Sequence, residues 1–484
     1  MPKEFIVAIE LGSTKIVGVA AKKNADGSTS VLAVAKENAS ACIRKGVVYN
    51  IDKTVICLRN VIQKLEQALQ TKIARVYVGV GGQGIRCKKN EIIKDYSQET
   101  HITQEHIDEM RDMNRAQIYP GLEILDVAVQ EYQVDNKSQI DAIGCQCTML
   151  KGNFLNILWR SSFYKNLNKC MEKAGITIAE MYLSPLALAE CILTENERRS
   201  GCILVDMGAE TTTLAVYYKN ILRHLVVIPL GGANITKDLT SLKMEEEEAE
   251  ELKIKYGSAY TEGNEINGSQ HINIDKTRTI SSSDFISAIE ARVTEIIENI
   301  KFQVSEFELS DLLGGIILTG GASNMKNIET AFTKILNISK IRTAKFVPKT
   351  INSTSADITA KNAMMNTVLA LIEKGNMNCA GKEITGSLFG EDETIDATPV
   401  DTSASPISTS ENTTGRVLTE EEKRRIKEEE ERKREEEERR RREEEEQRRR
   451  EEEERRRREK ENSFWGKIKK KAKDFGKQIM DEEE

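Results

Sequence analysis

Two segments of this 484-residue chain repeat one pattern: an apolar strand ends in an acid, one residue passes, and a glycine turns the chain into a second apolar strand. The first runs Val7-Ala8-Ile9-Glu10-Leu11-Gly12-Ser13-Thr14-Lys15-Ile16-Val17, the second Ile203-Leu204-Val205-Asp206-Met207-Gly208-Ala209-Glu210-Thr211-Thr212-Thr213. Glycine permits a tight hairpin, and small polar residues after it let backbone N–H groups approach an anion such as phosphate. An acid beside a phosphate is repelled unless a divalent cation lies between them, so Glu10 and Asp206 point to a metal held through water. One acid-x-Gly turn is commonplace. Two, at the starts of successive α/β segments, predict a duplicated domain with a nucleotide in the cleft between its halves.

A third element, Gly315-Ile316-Ile317-Leu318-Thr319-Gly320-Gly321-Ala322-Ser323-Asn324, reads as a strand entering a Gly-Gly turn and then a helix. Such a turn lets backbone approach a ligand, and a helix N-terminus favours an anion. The order of these three elements resembles the actin/Hsp70/sugar-kinase superfamily, with its two phosphate loops and its adenosine loop.

The elements that must carry these turns follow from periodicity. A helix is predicted over 53–69, with Val55, Leu58, Ile62, Leu65 and Leu69 on one face, and a strand over 74–80. Gly79, Gly81 and Gly84 match GxGxxG, but Ile85-Arg86-Cys87 alternates like a strand and opens no helix, so the match carries no dinucleotide site. Residues 84–162 read as a separate unit: a helix capped by Thr103 and running to Arg115, then strands over 124–134, 146–150 and 155–159. Helices at 163–174 and 185–195 precede the second hairpin. After it come a strand over 222–230, the Gly231-Gly232 turn, a helix over 244–257 and a long helix from Ser283 toward Phe307.

Length calls for two or more domains. Nine scattered cysteines, with no Cys-x-x-Cys pair, speak for reduced thiols in the cytosol and against zinc. The apolar run after Met1-Pro2-Lys3-Glu4 stops at Glu10, unlike a signal peptide, and no stretch is apolar enough to span a bilayer. A net charge of −7 gives no reason to expect nucleic acid as a partner.

The tail carries different chemistry. Residues 376–418, rich in Ser, Thr, Gly, Asp and Glu, read as a flexible linker. From Lys427 to Glu461 there is no apolar residue, and blocks of Glu stand four residues before blocks of Arg. That orientation favours i,i+4 pairs worth roughly 0.2–0.5 kcal/mol each. The alternatives are a single charged helix, predicted over 419–461, and a disordered charged linker; a coiled coil is excluded because no a/d seam exists. In 462–484, Trp465, Ile468, Ala472, Phe475 and Ile479 share a helical face beside Lys467, Lys469, Lys470 and Lys471, with Phe464 at its start. Such a helix lies in the interface of an anionic leaflet or docks in a protein groove.

The chain then resembles, over residues 4–374 and the extreme C-terminus, the FtsA family of bacterial cell-division proteins, actin-like anchors of the FtsZ ring. The insertion at 84–162 carries the resemblance, with the strand at 124–134 and the segments 193–198, 222–229 and 249–253. The resemblance implies an α/β, actin-like pair of domains around a nucleotide cleft. Subdomain 1A would comprise 1–83, 163–195 and 345–375; inserted subdomain 1C, 84–162; 2A, 196–232 and 310–344; and 2B, 233–309. It implies ATP with Mg²⁺, held by Gly12, Ser13, Thr14 and Lys15 on one side and by Gly208, Ala209, Thr211 and Thr212 on the other, with Asp206 and Glu10 on the metal. Gly231, Gly232, Gly320, Gly321 and Ala322 would line the nucleoside, and Glu250 and Lys253 would meet it, although a solvated ion pair reads as well for those two. Where the superfamily usually has Asp, this chain has Glu10; the longer side chain displaces the carboxylate by ~1.5 Å, which predicts binding with slow or no turnover. The tail helix would then bind the membrane, giving a peripheral protein on the cytoplasmic face at the septum whose partners are FtsZ, further copies of itself and later division proteins. A small-molecule kinase shares the hairpins but needs a substrate base that no segment supplies, and shape-determining or pilus-assembly scaffolds lack the insertion at 84–162 and the C-terminal position of the helix.

Overall fold

The computed structural model describes residues 4–262, 271–383, 415–462 and 464–481. They fall into two units, 1–419 and 420–484.

Within the first unit the duplication is visible strand by strand. One sheet runs Ile351–Asn352, Thr29–Asn38, Lys15–Lys23, Ile6–Leu11, Val76–Val80, Ile178–Leu183 and Arg416–Val417. Its five inner strands pair antiparallel, antiparallel, parallel, parallel. The strands Ile221–Ile228, Thr212–Tyr218, Cys202–Met207, Gly315–Thr319 and Ile341–Thr343 repeat that sequence of directions. The fold is mixed α/β and actin-like.

Alternation along these strands sorts side chains between two cores. Ile203, Val205 and Met207 join the core of the second half, which also takes Phe285, Ile289, Val293 and Ile297 from the helix Ser282–Gln303. Cys202 and Leu204 join the core of the first half instead. Helix Ile51–Leu69 forms where predicted, started by the Asn50 side chain, which accepts from the Lys53 N–H at 3.0 Å. It buries Val55, Leu58, Val61, Leu65 and Leu69, while Ile62 is only partly covered.

The inserted segment has a small core of its own, around Ile107, Met110, Val129, Tyr132, Leu150 and Phe154. Helix Gln104–Arg115 begins after Thr103 as expected. The two strands predicted over 146–150 and 155–159 are one strand, Gln146–Arg160, because the chain passes Lys151–Phe154 without leaving the sheet. This strand pairs with Arg86–His101 and Leu122–Val134. Arg86 then pairs with Val226, so the inserted sheet is continuous with the sheet of the second half.

Other differences are local. The helix expected over 185–195 breaks at Leu193, giving Ser184–Ile192 and Glu195–Ser200, the second opened by a Thr194–Glu197 capping box. Both ends of the predicted linker are paired with the body: Ala380–Glu383 with Thr71–Ile73, and Arg416–Val417 with Ile178–Leu183. The rest of that prediction, 384–414, lies outside the described residues.

The second unit holds two helices, Glu420–Asn462 and Phe464–Asp481. Ion pairs four apart occur in both orientations along the first, Glu421–Arg425 at 2.6 Å and Arg455–Glu459 at 3.5 Å among them. In the second, Trp465 and Phe475 are 75% and 67% exposed, Ile468 is exposed, and so are Lys467, Lys469, Lys470 and Lys471. The side chains of Phe464 and Ile479 lie outside the described ones. Among the described residues no helix is long and apolar enough to cross a membrane.

Candidate functional site

The two acid-x-Gly turns have the same geometry. Gly12 donates its N–H to the Lys15 carbonyl at 3.0 Å, and Gly208 donates to the Thr211 carbonyl at 2.8 Å. In register, Glu10 lies opposite Val17 and Asp206 opposite Thr213, seven residues on in each case. A Cβ on Gly12 would stand 2.9 Å from the Lys15 oxygen, and one on Gly208 would stand 3.0 Å from the Thr211 oxygen, so both turns close too tightly for a side chain.

Both hairpin acids hold their protons more tightly than an ordinary carboxylic acid. Burial first, then the nearby Asp206 charge, pushes the Glu10 carboxyl up to about 7, against the opposing effects of Lys15 and of a hydrogen bond with Thr367. Glu10 Oε2 is buried with no hydrogen-bond partner, although other parts of the residue keep some exposure to the cleft. Burial alone pushes Asp206 up to about 6. Lys15 is held below the ordinary lysine range, by burial and then by Lys36.

The glycine turns close around the second hairpin. Gly232 donates to the Gly208 carbonyl at 3.0 Å and Ala233 to the Ala209 carbonyl at 2.6 Å, while Asn234 Oδ1 accepts from the Gly231 N–H at 3.0 Å. Gly320 adopts φ +86°, and a Cβ there would stand 2.4 Å from Asp206 Oδ1, so only glycine lets the third strand end against this carboxylate. Gly321 abuts Met364, and Gly232 abuts Ala322 and Lys253. The helix expected straight after the Gly-Gly turn is a short 3₁₀ turn, Gly321–Asn324; the α-helix begins only at Ile328.

Lys253 is not a solvated partner of Glu250. Its ammonium donates to Glu250 Oε2 at 2.5 Å, Thr236 Oγ1 at 2.9 Å and the Gly232 carbonyl at 3.1 Å, and its side chain is 10% exposed. It thereby ties the helix Glu246–Tyr256 to the Gly231–Gly232 turn.

Asp206, Gly208, Ala209, Gly231, Gly232, Gly320, Ala322 and Lys253 thus lie against one another, and Glu10 stands within reach of the Asp206 charge. Thr212 stands apart: it is fully buried, and its hydroxyl donates to the Leu230 carbonyl at 2.9 Å, so its side chain shapes the adjoining turn. Thr14 is exposed. Sequence reasoning gave no role to Asn234 and Thr236, on the helix that opens at Gly232, and missed Thr367 and Met364, which have no motif signal and arrive from another part of the chain. It also missed a strap across the cleft mouth. Gly46 donates to Ser13 Oγ at 2.9 Å on one hairpin, and Lys45 donates its N–H to Glu210 Oε2 at 2.6 Å on the other.

The family model "Cell division protein FtsA" matches residues 203–370, and "SHS2 domain inserted in FTSA" matches residues 82–158. The cell division protein FtsA of Porphyromonas gingivalis is 35% identical over 339 residues, covering 68% of this chain and 70% of that protein. This chain belongs to the FtsA family. The FtsA of Neisseria meningitidis is 32% identical over 345 residues, covering 69% of this chain and 83% of its own. Among solved structures, the PilM-PilN type IV pilus biogenesis complex aligns with TM-score 0.51 at 14% identity, over 76% of this chain and 98% of that one, a likeness of fold alone. The chain is an actin-like cell-division protein, and its 82–158 insertion is the family's own domain.

Proposed function

We propose that this protein binds ATP with Mg²⁺ between its two hairpins and, as a self-assembling scaffold, tethers FtsZ polymers to the cytoplasmic face of the membrane and recruits later division proteins. The observation that carries the nucleotide reading is the pair of equal turns whose acids both hold protons above the ordinary carboxylate range, one with a buried, unpartnered oxygen. A bound cation relieves the cost of charge on two acids whose ionisation burial disfavours. Glu10 and Asp206 would hold the metal through water, together with the phosphates. Bound there, Mg²⁺ would neutralise phosphate charge.

Gly12, Ser13 and Lys15 would approach the phosphates from one half, and Gly208, Ala209 and Thr211 from the other. Gly231 and Gly320 leave no room for side chains, and with Gly232, Gly321 and Ala322 they would line the nucleoside, with Met364, Glu250 and Lys253 beside them. The longer Glu10 disfavours in-line hydrolysis, so the protein is a scaffold with weak ATPase activity at most.

The tail supports the membrane half of the reading. An exposed Trp465–Ile468–Phe475 stripe beside lysines fits the boundary of an anionic leaflet. The 43-residue charged helix before it is about 65 Å long at 1.5 Å per residue. Liposome flotation tests the whole: anionic vesicles should carry FtsZ upward only with this protein present, and Trp465→Glu with Phe475→Glu should abolish both flotations while leaving ATP affinity unchanged. Full flotation of that double variant would place the anchor elsewhere.

A further inference from the structure

After the 384–414 segment the chain returns to the body, and four consecutive residues are each held by a different partner. Leu183 donates its N–H to the Gly415 carbonyl at 2.7 Å, and Gly415 donates its own N–H to Asp126 Oδ2 at 2.8 Å. Arg416 lies opposite Tyr182 and places its guanidinium 3.2 Å from Glu180 Oε1. Val417, opposite Met181, is 1% exposed and belongs to the core of the first half. The hydroxyl of Tyr164 donates to the Leu418 carbonyl. Gly415 takes φ +66°, and a Cβ there would lie 3.1 Å from that of Leu186, so the entry to the strand needs glycine.

We propose that Gly415–Leu418 is a docking strand. It adds to the outermost strand of the first sheet, Ile178–Leu183, closes an edge that would otherwise be open, and fixes the point from which the tail starts. The acceptor is specific in chemistry: Glu180 receives an arginine, the core receives a valine, and Asp126 of the inserted subdomain receives the backbone at the entry. The clip therefore joins three parts of the molecule, the first half, the inserted subdomain and the root of the charged helix, and a shift of the inserted subdomain would remove one of its holds.

The occupant is this chain's own segment. The pairings lie within one chain, Glu383 opposite Thr71 before the segment and Arg416 opposite Tyr182 after it. The docking stands apart from the membrane reading.

Hydrogen exchange on the full-length protein, in solution without vesicles, tests the clip. Amides of 415–419 should exchange at least tenfold slower than free chain, and at the same rate across protein concentrations. Val417→Asp should raise exchange at 415–419 and at Leu183 tenfold or more while the strand Ile6–Leu11 stays protected. Arg416→Glu should have a similar, smaller effect, and adding Glu180→Arg should restore protection. Free-chain exchange at 415–419 in the native protein would overturn the proposal, as would insensitivity to Val417→Asp. Protection that grows with protein concentration would hand the groove to a second copy and overturn the intramolecular assignment. Failure of the charge swap to restore protection would overturn the Glu180–Arg416 pairing.

Discussion

The two hairpins share a turn and a register but not an environment. In the first, the acid is longer, its buried Oε2 is unpartnered, and a lysine follows three residues after the glycine. In the second, the acid lies against Gly320, and threonine takes the place of that lysine. The first hairpin is buttressed by a side chain, Ser13, under Gly46; the second gives the same strap a side chain too, Glu210 under Lys45, but is also held by backbone, through the carbonyls of Gly208 and Ala209. Duplication preserved what the turn requires of backbone and let the halves diverge in what each side chain does. The difference teaches where each half is vulnerable.

The largest effect should come from the acids together. Their native proton affinities, about 7 for Glu10 and about 6 for Asp206, lie above the ordinary carboxylate values of 4.5 and 3.8. The native state thus keeps protons that the unfolded chain has lost, and stability falls as pH rises from about 4 to 7. For the nucleotide-free protein this should amount to a few kcal/mol at most, since each tenfold gain in proton affinity is worth about 1.4 kcal/mol. Chemical denaturation from pH 5 to pH 8 checks it. Glu10→Gln should flatten the slope, and an unchanged slope would mean the pair is solvated.

Removing one acid separates the halves. Asp206→Ala should weaken Mg²⁺-dependent ATP binding at least tenfold, which is about 1.4 kcal/mol or more. Isothermal titration giving native affinity in magnesium would sink the assignment of the second hairpin.

A smaller contrast lies in the buttresses. Ser13→Ala strips the Gly46 N–H of its acceptor and should cost about 1 kcal/mol of stability. Ala209→Ser, at the matching place in the second hairpin, should change stability little, since backbone already holds that turn. Equal losses in urea unfolding would show that the two turns are supported alike.

The smallest effect sharpens the comparison most. Glu10→Asp makes the two acids identical, and any ATPase rate should rise a few-fold with binding nearly unchanged, below about 1 kcal/mol in activation free energy. An equal or lower rate would show that the extra methylene does not limit turnover.

Much of the fold was legible because its signals are local. The strand-glycine-strand phrases at Glu10 and Asp206 needed only a few neighbouring residues, and the apolar face of helix Ile51–Leu69 appears at period 3.6. Val61 took the place expected for Ile62 because both lie near the edge of that face, and packing chose between them. The long strand Gln146–Arg160 reads as two in sequence because Lys151, Gly152 and Asn153 look like a turn, whereas two neighbouring strands hold them in register.

By itself the sequence determined the two equal turns, the helix faces, the charged and amphipathic character of the tail and the family, since these depend on residue type and short spacing. Only tertiary structure decided between a solvated and a buried Lys253, turned Thr212 inward, set Gly320 against Asp206, joined the inserted sheet to the second half and docked Gly415–Leu418. Each of these is a contact between residues brought together by packing rather than by their own spacing, from the 17 positions between Thr236 and Lys253 to the 289 between Asp126 and Gly415. A two-residue strand such as Arg416–Val417 has no periodicity to read; its pairing exists because a sheet edge, an acid and the core that takes Val417 lie where the chain returns.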